Sequence, residues 1–200
     1  MNWSVPEFGH IPLIHGADGG KLSKRHGALG VDAYRDMGFL PEALNNYLLR
    51  LGWGHGNDEI ISSAQAIEYF TLDAVGRSPS RFDVAKLENL NGHYIREADD
   101  QRLADLVIAD LSKVDNLGRS RILKGMGGLK QRAKTIVELT GNASFYAASV
   151  PLNFTEKAQA CFTEEALGYL SALAAQLETI QDWTEEAIEQ SVRSIAENTD

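Results

Sequence analysis

The sequence predicts a mainly α-helical protein whose first thirty residues are loops and short strands. Three observations carry that prediction. Pro6 and Pro12, followed by Gly16, Gly19 and Gly20, forbid a continuous helix at the start. From residue 41 onward, capping signals open segments whose apolar residues recur at i, i+3, i+4 and i+7. Past about residue 98 only such amphipathic segments remain. Two hundred residues, 44% of them apolar, suffice for one domain or two small ones.

Taken in order, Ile11, Leu13 and Ile14 predict a short buried strand running into the glycines. Residues 31–37 predict one or two helical turns closed by Gly38. Pro41 suits a first helical turn and Gly52 a stop, with Leu44, Tyr47, Leu48 and Leu51 on the buried face and Asn45 and Asn46 off it. Trp53 follows as a packing anchor. Ser62 and Gln65 have the spacing of a capping box and open a helix through about Phe70. Asp83 caps another helix, with Phe82 and Leu87 as its hydrophobic staple and Asn91-Gly92 as its expected stop.

Leu103, Leu106, Val107 and Leu111 line the next face. Gly125, Gly127 and Gly128 predict a helix–helix turn. Leu129, Ala133, Ile136 and Val137 form a further face, and Cys161 and Phe162 fit a buried helix face. Leu167, Leu170, Ala174 and Leu177 form another. Thr184 caps the last helix, stapled by Trp183 and Ile188, with Ile188, Val192, Ile195 and Ala196 as its face. The change in texture puts a domain boundary near Arg96–Asp99.

The chemistry concentrates in Lys21-Leu22-Ser23-Lys24-Arg25. Two ammonium groups and a guanidinium lie between glycines that free the backbone, an arrangement suited to a polyphosphate whose charge changes during reaction. A P-loop is ruled out, because Gly16 to Gly20 is one residue too short and Leu22 stands where the hydroxyl belongs. A basic surface turn is the competing reading of the same residues.

The formal net charge is −9, yet Arg119, Arg121, Lys124, Lys130, Arg132 and Lys134 occur between Asn116 and Val137 without one acidic residue. Such a stripe can grip a phosphate backbone or be a solvated helix face. No apolar run reaches the ~20 residues of a membrane span, and no secretory signal is visible. Cys161, the single cysteine, excludes an internal disulfide and a cysteine-rich zinc site. His10 and His15 lack the further ligands a metal site needs. A cytoplasmic, monomeric protein is expected.

The series Phe8–Gly16, Lys21–Arg25, Tyr34–Leu48, Leu51–Trp53 and Phe82–Asn91, in this order, resembles bacterial glutamyl-tRNA synthetase, a class I aminoacyl-tRNA synthetase. The match is specific to about residue 97 and looser beyond it. The resemblance makes Lys21–Arg25 the lysine-rich ATP loop. It implies a C-terminal fragment in three parts: residues 1–30 the end of the catalytic nucleotide-binding domain, 31–97 a stem-contact domain, and 98–200 a helical anticodon-binding bundle, incomplete at its end.

The family is a glutamate–tRNA ligase that activates glutamate with ATP and magnesium and passes it to tRNA. By motif position, Lys21 and Lys24 are implied as catalytic, and Lys21, Ser23, Lys24 and Arg25 as ATP-binding. The stripe residues Arg119, Arg121, Lys124, Lys130 and Arg132 are implied as tRNA contacts, with Arg132 at the anticodon. The first class I signature, the amino-acid pocket and any zinc ligands would lie upstream, leaving no metal site on this chain. The isolated fragment is then expected to be inactive. A stand-alone tRNA-binding module descended from such an enzyme is the alternative, and sequence upstream of residue 1 discriminates the two.

Overall fold

The computed structural model describes residues 4–6, 8–22, 29–111, 113–149 and 151–197. The chain forms two compact units, Met1–Ala148 and Ser149–Asp200.

The first unit begins with strand β1 (Ile14–His15), which pairs in parallel with β2 (Ser80–Arg81) in the register Ile14↔Ser80, His15↔Arg81. The expected buried strand is shorter and more open than the sequence suggested: Ile11 and Leu13 are exposed and only Ile14 turns inward. Helix α1 (Val31–Asp36) ends in a Schellman arrangement. Gly38 takes φ +84°, its N–H donates to the Arg35 carbonyl (2.8 Å), and Phe39 N–H donates to the Tyr34 carbonyl (3.0 Å).

Helix α2 (Pro41–Arg50) starts with Pro41 in its first turn, as expected. Its buried face differs from the simple periodic pattern. Leu44, Tyr47 and Leu51 are buried, but Leu48 is 44% exposed and Asn46 is buried instead. Asn46 earns that place through hydrogen bonds, accepting from Ile61 N–H (2.5 Å) and Tyr94 O–H (3.1 Å) and donating to the Glu59 carbonyl (2.9 Å). It thereby ties α2 to the strap leading into α3 (Ser63–Tyr69), whose capping box is the predicted Ser62–Gln65 pair. Trp53 is buried against Phe70, the packing role expected of it.

Helix α4 (Val84–Glu97) is capped by Asp83 and does not stop at Asn91-Gly92. Both residues are fully inside it. Asn91 Oδ1 accepts from Leu40 N–H (2.7 Å), while Nδ2 donates to the carbonyls of Lys134 (2.6 Å) and Gly38 (3.3 Å). Gly92 lies against Lys134, whose Cγ would be 3.5 Å from a Cβ. The pair that reads locally as a helix stop is thus a packing seam, because tertiary partners outweigh the local propensity.

Helices α5 (Asp100–Asp110), α6 (Asn116–Lys130) and α7 (Ile136–Ala147) pack on the far side of α4, capped by Asp99, Asp115 and Thr135. The expected turn at Gly125–Gly128 is absent: α6 runs straight through. Gly125 is needed because a Cβ there would stand 2.8 Å from the Tyr146 ring of α7. Leu103, Val107, Ile122, Met126, Ile136 and Leu139 fill this core together with Leu40, which precedes α2, Ala43 from α2 and Ile95 from α4. Leu106 and Val137, expected on the buried faces, lie outside it. A second cluster joins Phe39, Leu44, Tyr47, Leu51, Phe82 and Leu87, the predicted Phe82–Leu87 staple included.

The second unit holds α8 (Glu156–Gln159), α9 (Glu164–Leu177) and α10 (Glu185–Glu197). Thr155, Thr163 and Thr184 accept from backbone N–H groups at the three starts. The sequence overestimated burial here. No residue of α9 is buried, Leu167, Leu170, Ala174 and Val192 are exposed, and Trp183 stays 65% exposed, so it does not close a staple over Ile188. Cys161 and Phe162 are likewise exposed, in the turn after α8. Two helices of a hairpin give each other one face only, so apolar residues off that face find no cover within the unit.

Candidate ATP loop and nucleic-acid interface

The glycines after β1 make a tight turn. Gly16 N–H donates to the Gly20 carbonyl (2.9 Å), Gly19 N–H to the Gly16 carbonyl (3.0 Å), and Gly20 N–H to Asp18 Oδ1 (3.0 Å). Gly19 has φ +78°, a conformation that favours glycine. The chain returns antiparallel, with His15 bridging Lys21 and Leu22 N–H donating to the Ile14 carbonyl (2.9 Å). Lys21 is therefore fixed at its backbone and exposed at its side chain. The other candidate loop residues, Ser23, Lys24 and Arg25, lie outside the described residues.

Beside this turn, β2, α2 and α4 border an open cavity of about 720 Å³. Arg50, Arg81, Lys86 and His93 line it, against one acid, Glu59, which lies 3.5 Å from Arg50. Tyr47 forms part of its wall. The Tyr47 hydroxyl donates to the Asp83 carbonyl (3.0 Å), and burial pushes its pKa above the usual phenol value. None of these cations stood out in the sequence, where they are scattered from residue 50 to residue 93.

The basic stripe divides on the structure. Arg119, Arg121 and Lys124 are exposed on α6, and Arg132 is exposed in the turn before α7. None of the four forms an ion pair with a described residue. Lys130 is different: its Nζ is 2.7 Å from Asp100 Oδ1 and donates to the Ala98 carbonyl (3.0 Å), leaving the side chain 16% exposed. It clamps α6 to the start of α5. Among the described residues no three His, Cys, Asp or Glu side chains gather as metal ligands, and no helix is long and apolar enough to cross a membrane.

Residues 1–89 match the catalytic domain of the class I tRNA synthetases (E and Q), and residues 86–200 match an anticodon-binding domain. Over 98% of its length the chain is 58% identical to glutamate–tRNA ligase 1 of Sphingopyxis alaskensis and 55% identical to glutamate–tRNA ligase 2 of Parvibaculum lavamentivorans. The chain belongs to the bacterial glutamate–tRNA ligase family. It spans 42% and 41% of those two ligases. A glutamate tRNA ligase of Elizabethkingia meningosepticum, solved in complex with its amino acid, superposes with a TM-score of 0.78 at 27% identity. That match covers 99% of this chain and 43% of that one. The catalytic and anticodon-binding matches of the ligase family meet at residues 86–89, inside α4.

Proposed function

We propose that the chain is the part of a glutamate–tRNA ligase that supplies its ATP loop and its tRNA-binding helices. The observation that carries this reading is the placement of Lys21. It leaves a glycine turn on a backbone held from both sides, with its ammonium exposed, in the stretch that matches a class I catalytic domain. The whole enzyme would join a glutamate carboxylate oxygen to the α-phosphorus of ATP, releasing pyrophosphate. A hydroxyl of the terminal tRNA adenosine would then attack the glutamyl carbonyl, releasing AMP.

In this reading Lys21, Ser23, Lys24 and Arg25 surround the triphosphate. Their positive charge is worth most where negative charge builds on the departing pyrophosphate, which lowers the barrier rather than merely tightening binding. Magnesium enters on the triphosphate. Residues 31–97 serve as the stem-contact domain and 98–200 as the anticodon-binding region. Arg119, Arg121 and Lys124 meet phosphates and Arg132 meets the anticodon, which its two-pronged guanidinium can read at a base edge.

The test is glutamate-dependent ATP–pyrophosphate exchange by the full-length protein with tRNA present. Lys24→Ala is expected to slow adenylate formation by about 10²–10³-fold, the usual cost of one preorganised contact to developing charge. The isolated 200-residue chain should give no exchange, since no described residue is placed to align glutamate with the α-phosphate. An unchanged rate in Lys24→Ala, or exchange by the chain alone, overturns the assignment.

A further inference from the structure

The small sheet at the ATP loop has two faces of opposite character. His15 lies between Lys21 on one side and Arg81 on the other, paired antiparallel with the first and parallel with the second. Residues directly paired across strands share a face, and their chain neighbours point to the opposite one. The neighbours here are Ile14, Leu22 and Phe82, and all three pack into the Leu44–Leu87 core. Lys21, His15 and Arg81 therefore stand side by side on the open face.

A second observation places the arginine head. A Cβ built on Gly19 would lie 3.7 Å from Arg81 Nη2, so the guanidinium rests over the glycine turn from which Lys21 emerges. The charge is uncommitted: Arg81 is exposed and forms no ion pair or side-chain hydrogen bond with a described residue. The nearby carboxylate, Asp18, folds back onto the turn and accepts from Gly20 N–H (3.0 Å).

We propose that Arg81 is a nucleotide-contacting residue, one that joins Lys21 in binding the polyphosphate of ATP and the pyrophosphate product. The proposal rests on the ligase reading above. Arginine suits the role because its planar donors engage two phosphate oxygens at once. It reaches the loop from far along the chain, carried by β2 and anchored by the burial of Phe82 beside it.

The test compares Arg81→Ala, Arg81→Lys and Lys86→Ala in the full-length enzyme, measuring exchange with tRNA present and thermal unfolding. Arg81→Ala is expected to raise KM for both ATP and pyrophosphate by about tenfold or more, the usual effect of losing a hydrogen bond to a charged group. KM for glutamate, KM for tRNA and the melting temperature should not move. Arg81→Lys should recover part of the loss, and Lys86→Ala, which shares the cavity wall with Arg81 but is not placed over the glycine turn, should leave the nucleotide KM values unchanged. Unaltered KM for ATP and pyrophosphate in Arg81→Ala overturns the proposal, as does a rise confined to tRNA or a uniform loss with a lowered melting temperature. Failure of Arg81→Ala to respond in an enzyme with normal exchange counts against Arg81 alone. A full-length wild type without exchange overturns the ligase reading, and the Arg81 role with it.

Discussion

Gly38 and Ile136 meet backbone to backbone: the Gly38 carbonyl accepts from Ile136 N–H at 2.9 Å, and a Cβ on Gly38 would lie 2.8 Å from that same nitrogen. The C-terminal stop of α1 is thus also the seat for the first turn of α7. Gly38→Ala has to tolerate both a positive φ and a collision with backbone that cannot rotate away. The two costs together are about 2–4 kcal/mol, to be read as a lowered urea midpoint. Gly128→Ala, in α6 with open space around it, should instead gain up to about 1 kcal/mol.

Asn91 holds the same junction from the other side. Its amide satisfies Leu40 N–H and the carbonyls of Lys134 and Gly38 in a fully buried position. Asn91→Ala leaves those groups without partners, for a loss of about 2–4 kcal/mol. Asn91→Asp should cost at least as much at pH 7, because its carboxylate would face two carbonyl oxygens. Equilibrium unfolding of both variants checks this.

Glu42 and Arg102 form a two-pronged pair, with Nη1–Oε1 at 2.6 Å and Nη2–Oε2 at 3.1 Å, joining α2 to α5. The Arg102 hydrogen bonds hold the Glu42 carboxyl below its usual pKa. A carboxylate whose pKa falls on folding stabilises the fold above its unfolded pKa, and that contribution disappears as pH drops through the folded value. The pair is partly exposed, so Glu42→Gln should cost about 0.5–1 kcal/mol at pH 7. The difference from wild type should shrink as pH falls below the ordinary carboxylate range and through the lowered folded value, measured as unfolding free energy against pH.

Lys130 and the other stripe cations should separate in their effects. Lys130→Ala loses the Asp100 and Ala98 partners and should lower stability by about 1–2 kcal/mol. Lys124→Ala should leave stability unchanged and reduce the salt dependence of tRNA binding in the full-length enzyme by about 0.7–0.9 in log–log slope. Arg132→Ala should alter the preference among tRNAs differing in the third anticodon base. Uniform weakening across those tRNAs would make Arg132 a phosphate contact instead.

What the sequence revealed divides along physical lines. The Ser62–Gln65 box, the Asp83 and Thr184 caps and Pro41 at its helix start were legible because each is decided within four residues. Asn91-Gly92 and Gly125 were misread because their partners, Leu40, Lys134 and Tyr146, are remote in sequence. Asn46 was placed off the buried face because a periodic pattern counts only apolar residues, while burial of this amide is decided by Ile61 and Glu59. At the candidate site the lysines were visible as a cluster. Arg81 was not, since only strand pairing brings it to Lys21; the one local hint was an exposed arginine alternating with a buried Phe82.

Helix α4 faces two cores, presenting Leu87 to one and Ile95 to the other, with Asn91 between them. The junction of the two family matches falls within its first half. Recombination at that junction, the natural place to shuffle an anticodon reader onto a foreign catalytic body, would cut the helix between its two sets of neighbours. The incoming Ile95 side would have to fit Leu40 and Ala43, and the incoming residue 91 would have to match the backbone of residues 38–40. Exchange of anticodon readers between members of this family should therefore succeed only when the crossover is moved upstream of residue 38, or when α2 travels with its partner helices.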